Sequence, residues 1–133
     1  MSELYHGLDL SIDTIRLFTI RDGDASSPIQ CDLKVISRET CQNDYVALSY
    51  CWGDPSDKDT IFVNDRPLDV PRNLVAYLRK ARIESDEETP RKPLWADSIC
   101  IDQANLDERS REVWKMKRIY EDAGQVMLWL GPE

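Results

Sequence analysis

An indole, three carboxylates and an amide stand where strand-like apolar runs stop. Trp52 ends the run YVALSYCW and Asp54 follows it, Asp102 and Gln103 follow LWADSICI, and Glu133 follows VMLWL. In an open parallel sheet, ligands bind beyond the carboxyl ends of the strands, because the loops there face one another and carry polar groups out of the core. Three neighbouring parallel strands would therefore gather Trp52, Asp54, Asp102, Gln103 and Glu133 on one rim. Acids accept hydrogen bonds from sugar hydroxyls and an aromatic face stacks on a planar base, so such a rim suits a ribose and its base. The plainer alternative makes Asp54 a turn cap, gives Asp102 and Gln103 to loop backbone, and buries Trp52 in the core.

Two further acids need partners. Strand alternation over Leu94 to Ile101 puts Asp97 on the side of Trp95, Ile99 and Ile101, where a carboxylate requires donors. Arg109, Arg111 or Ser49 could supply them, which makes a structural ion pair the expectation for Asp97 and Arg109. Glu108 lies three residues after Asn105, as the acid of an N-x-x-E variant of the capping box. No Gly-rich phosphate loop, HExxH or GxSxG occurs, so any chemistry must run on carboxylates. Cys31, Cys41, Cys51 and Cys100 show no CxxC pair, and His6 is the one histidine. A metal site is not expected from them, and buried free thiols are.

These side chains need elements to position them. Leu94 to Gly131 reads as strand, helix, strand: the hydrophobic period changes from two to nearly four after Asn105, with Val113, Met116, Tyr120 and Ala123 on one face. Glu112, Lys115, Lys117 and Arg118 lie off that face. Gly124 is a natural helix stop, and the unbroken apolar run Val126 to Leu130 predicts a strand covered on both faces. Upstream, Thr14 to Ile20 and Ile29 to Ile36 predict a hairpin around the turn-rich RDGDASSP. Tyr45 to Trp52 predicts a core strand. Thr60 to Val63 and Leu68 to Val70 predict a small edge hairpin, because Pro67 cannot donate to a central ladder. Arg72 to Ile83 predicts a helix that buries Leu74, Leu78 and Ala81 and leaves Arg79, Lys80 and Arg82 outside. The charged stretch at residues 84–93 predicts a solvated linker inside the domain.

The chain has 133 residues, with Lys+Arg 17 against Asp+Glu 25 and a net charge of -8. That length fits one domain with its own core. The acidic balance opposes binding to nucleic acid or to an anionic membrane. With no apolar run long enough to cross a bilayer and no signal pattern at the start, a cytoplasmic location is expected.

Taken together, YVALSYCWGD at Tyr45 to Asp54, LWADSICIDQ at Leu94 to Gln103, the Glu108-Arg109 pair and VWKMKRIYEDAGQVMLWLGPE at Val113 to Glu133 closely resemble the fungal heterokaryon-incompatibility (HET) domain. The upstream hairpin and NLVAYLRKAR look like that family's opening hairpin and middle helix. Ala96 replaces the larger aliphatic residue usual there, and Asp102 stands where asparagine is common. The resemblance implies a role in non-self recognition and regulated cell death, usually as the effector module of a larger protein. The family is also similar to TIR domains, which implies a flavodoxin-like, open and mostly parallel sheet flanked by helices, here with an added N-terminal hairpin. It implies homotypic self-association and a regulatory or NLR-type partner. It also implies NAD cleavage in some members, with NAD as substrate and no resident cofactor. On that reading Glu133, or else Glu108, is the catalytic carboxylate, Asp54, Asp102 and Gln103 hold substrate, and Trp52 stacks. The alternative is a self-associating adaptor without enzymatic activity.

Overall fold

The computed structural model describes residues 3–84 and 91–130. Its strands are β1 (Thr14–Ile20), β2 (Gln30–Ser37), β3 (Val46–Tyr50), β4 (Lys58–Val63), β5 (Arg66–Pro71), β6 (Leu94–Trp95) and β7 (Gln125–Trp129). Its helices are α1 (Arg72–Glu84), α2 (Asp97–Cys100) and α3 (Leu106–Asp122). The strands form one seven-stranded sheet in the order β5-β4-β2-β1-β6-β3-β7.

Both predicted hairpins form. β1 and β2 pair antiparallel from Thr14 opposite Ser37 to Ile20 opposite Cys31. β4 and β5 turn through Asn64 and Asp65, whose positive φ values of 51° and 66° suit a two-residue hairpin loop. β5 ends the sheet, as Pro67 demands.

The sheet is mixed rather than mostly parallel, and the first hairpin is not an addition at its edge. β1 is antiparallel to both β2 and β6, and β4 is antiparallel to β5, while β2 with β4, β3 with β6 and β3 with β7 run parallel. The hairpin sits in the middle because its side chains are core: Phe18 and Cys31 are fully buried and Leu33 nearly so. Hydrophobic burial rewards placing such strands inside, with partners on both edges.

Four local expectations need correction. The run Leu94 to Ile101 is a strand for only two residues. The chain then turns into α2, closed by Cys100 N donating to Ala96 O at 2.8 Å, which buries Ile99, Cys100 and Ile101 together. A contiguous apolar run does not distinguish strand from buried helical turn. β7 is an edge strand with Val126 and Leu128 exposed, as is Leu130 just after it, not a strand covered on both faces.

On α3 the buried face carries Glu108, Glu112 and Ile119, while Val113 is exposed. Glu112 can lie inside because Lys115 reaches it at 2.6 Å and also donates to Ser11 O and Thr14 O, each at 2.9 Å. On α1 Arg82 is buried, donating to Asp24 O, Ser27 O and Pro28 O at 2.7 to 3.0 Å. Three loop carbonyls replace the water that the guanidinium gives up.

Half of the predicted capping box forms: the Glu108 carboxylate bonds Arg16 and Asp102 N instead of returning to Asn105 N, which donates to Asp102 O at 3.1 Å. Asn105 caps α3, its side chain accepting from Glu108 N at 3.1 Å. Gly124 follows the helix, but its need for glycine is space. A Cβ there would stand 2.4 Å from Asn43 O. Among the described residues no helix is long and apolar enough to cross a membrane. Most of the predicted linker lies outside the described residues; at its end Arg91 bonds Asp22 and donates to Arg82 O at 3.2 Å.

Candidate functional site

The sheet order sets β3 between β6 and β7, and all three run parallel, with Ala47 beside both Trp95 and Val126. Their carboxyl ends therefore share one rim, as the sequence predicts. The residue at its centre is Asp97, which opens α2 one residue after β6.

Tyr50, the last residue of β3, donates its hydroxyl to Asp97 Oδ1 at 2.9 Å and lies 2.5 Å from Ser98 Oγ. Trp52 Nε1 donates to the same Oδ1 at 3.2 Å, and Gln103 Nε2 donates to the Asp97 carbonyl at 2.9 Å. The other carboxylate oxygen, Oδ2, has no hydrogen-bond partner among the described residues. Burial first, and then the charge of Asp97, push the Tyr50 phenol well above its ordinary range, so it remains a donor at neutral pH.

The indole of Trp52 is 39% exposed. Gly53 follows it with φ +69°, a left-handed turn that lets the chain leave the strand end. Asn73 closes the neighbouring edge, accepting Trp129 Nε1 at 3.0 Å and donating to Cys51 O at 3.1 Å. A fixed carboxylate with a free oxygen beside a half-exposed indole can accept hydroxyl hydrogen bonds from a ligand whose planar part stacks.

The other predicted residues fall elsewhere. Asp54 is exposed and accepts Ser56 N at 2.9 Å and Ser56 Oγ at 2.8 Å, bonds that hold its carboxyl below the usual range. Asp102 is buried and accepts Ala104 N at 3.2 Å.

Glu108 is buried too. Its two oxygens receive Arg16 Nη2 at 2.8 Å and Arg16 Nη1 at 2.7 Å, and Asp102 N adds a third bond at 2.5 Å. Burial works against its charge, but Arg16 and the Asp102 amide outweigh it and hold the carboxyl low. Arg16 also donates to Leu8 O and Cys100 O and stacks 4.7 Å over the Tyr5 ring. Arg109 is exposed, and the donors on Asp97 are Tyr50 and Trp52 rather than Arg109, Arg111 or Ser49. Glu133 lies outside the described residues.

The structure thus joins Trp52 and Gln103 at Asp97, leaves Asp54 in its own turn, and sets Asp102 beside the Arg16–Glu108 pair. Sequence reasoning missed Tyr50, Ser98 and Arg16. Arg16 had a signal: it shares the parity of Phe18 and Ile20 in β1, so its face is apolar and its charge needs a buried partner. Tyr50 had none, because nothing in the sequence says that residue 50 and residue 97 meet.

Residues 45–133 match the family profile described as heterokaryon incompatibility protein (HET). Over 97 residues the chain is 40% identical to "Heterokaryon incompatibility protein 6, OR allele" of Neurospora crassa, an alignment covering 66% of this chain and 14% of that protein. No solved structure matches.

Proposed function

Because the chain belongs to the heterokaryon incompatibility (HET) family, we propose that it is a signalling module of fungal heterokaryon incompatibility, acting in non-self recognition and the regulated cell death that follows. The observation that carries this reading is the 40% identity to a protein named for incompatibility. The match spans 14% of that relative, which supports a module working inside a larger assembly. Its proposed setting is the cytoplasm, under an NLR-type or other regulatory partner. Inducible expression in a filamentous fungus tests it. Growth arrest with uptake of a membrane-impermeant dye is expected, and undisturbed growth at confirmed protein levels overturns it.

For the mechanism, the geometry favours an adaptor that works by contact, including homotypic self-association. Asp54 and Asp102 bond within their own turns and Glu108 bonds Arg16, and none of the three accepts from the Trp52 indole. The exposed Leu106 and Val113, seven residues apart on α3, supply an apolar contact surface.

A second reading, TIR-like NAD cleavage, is favoured by the indole of Trp52 and the free oxygen of Asp97 on one rim. There NAD is substrate, the base stacks on Trp52, and Glu133 stabilises the oxocarbenium-like ribosyl centre. Incubating the purified protein with NAD separates the two. Nicotinamide release that Glu133→Ala and Trp52→Ala abolish establishes cleavage; no release from forced oligomers leaves the adaptor.

A further inference from the structure

We propose that the groove between α3 and the segment leading into β1 binds an acidic segment of a partner protein, anchored by one large apolar side chain. The groove encloses about 620 Å³ and shares no lining residue with the Asp97 rim. Leu10 and Ile12 line one wall, and Arg111, Trp114 and Arg118 line the other. Spacings of three and four residues put those α3 side chains on one face of the helix. Arg38 joins them, held by its bond from Nη1 to Ile12 O at 3.1 Å.

The walls are already fixed. Lys115 pins α3 to the opposite segment through Ser11 O and Thr14 O, so little ordering is left to oppose binding. The groove also exposes what a partner would cover: Trp114 is 88% exposed and Ile12 75%. Trp and Arg are the side chains most enriched at the energetic centres of protein interfaces.

Charge selects the occupant. Glu112 is offset by Lys115 at 2.6 Å, and Arg38 has Asp122 at 3.6 Å. Arg111 and Arg118 have no ion-pair partner among the described residues. A chain with net charge -8 therefore carries a locally cationic, aromatic groove. Its overall charge repels a nucleic-acid backbone or an anionic bilayer, while a short acidic peptide meets the local field. The Trp114 ring with Leu10 and Ile12 receives the apolar anchor.

The test is panning of a phage-displayed library of random dodecapeptides against the full chain. Trp114→Ala, the double variant Arg111→Glu/Arg118→Glu and the control Lys117→Glu serve as competitors. All four substituted side chains are exposed, so circular dichroism should match the parent. Enriched peptides are expected to be acidic with an aromatic or large aliphatic residue. A synthetic copy should bind the first two variants about tenfold or more weakly, bind Lys117→Glu unchanged, and weaken as salt rises. Enrichment without acidic bias, or equal binding to every variant, overturns the proposal. So does a dimer in sedimentation that Trp114→Ala dissolves, because the occupant is then a second copy of the chain.

Discussion

Arg16 and Glu108, 92 positions apart in sequence, form a bidentate ion pair at 2.7 and 2.8 Å with side chains only 1% and 6% exposed. The pair links β1 to the first turn of α3. It also fixes the loop between α2 and α3, because Glu108 accepts Asp102 N while Arg16 donates to Cys100 O.

Glu108→Gln should therefore destabilise the fold by about 3–5 kcal/mol, since removing one partner strands a buried charge. Replacing both, as in Arg16→Met with Glu108→Leu, should recover most of that loss, because two apolar side chains of similar volume need no solvation. Urea denaturation at neutral pH measures both.

The same pair sets an acid dependence. The folded carboxyl of Glu108 titrates below its ordinary 4.5, so at acid pH the unfolded chain binds the extra proton and stability falls with pH. The contribution is complete above the unfolded value and is lost as pH drops through the folded one. Glu112 has the opposite sign: burial raises it despite Lys115, so its charge is a net cost at neutral pH. Glu112→Gln should cost less than Glu108→Gln at neutral pH, and only Glu108→Gln should flatten the fall of the urea midpoint in acid.

All five tyrosines, Tyr5, Tyr45, Tyr50, Tyr77 and Tyr120, are raised chiefly by burial, Tyr120 to about 12. A phenol that ionises more readily when unfolded subtracts stability as pH rises past about 10. Ultraviolet absorbance should show phenolate appearing together with loss of the circular dichroism signal. Early, gradual ionisation in the native state would contradict the burial of these rings.

Thiol access should be equally selective. Cys31, Cys41 and Cys100 are buried, and burial pushes Cys31 up to about 12, whereas Cys51 is exposed beside the Asp97 rim. A maleimide should label one thiol per native chain and four after unfolding, and Cys51→Ser should remove the native reaction.

Gly124→Ala should cost about 2 kcal/mol or more, because its Cβ would meet Asn43 O and neither backbone can retreat. Asn43 N is bonded to Asp122 O at 2.7 Å and Gly124 N to Tyr45 O at 2.9 Å. The thermal midpoint of the purified variant measures the cost.

The sequence by itself determined the local elements whose signals are short range. The extent of α3, its Asn105 cap, the two hairpins and the edge position of Pro67 all depend on neighbours within a few residues, and all are present. The motifs from Tyr45 to Glu133 likewise sufficed for the family, because they are a pattern in the chain.

What only the tertiary structure decided is which elements meet. Apolar content could not place the β1–β2 hairpin at the centre of the sheet, turn Asp97 out of a strand into a helical turn, or expose β7. Burial and pairing of charges depend on contacts across tens of residues: Arg16 with Glu108, Lys115 with Glu112, and Tyr50 and Trp52 with Asp97. A polar residue reads as exposed until its partner is known, and the partner is supplied by the fold.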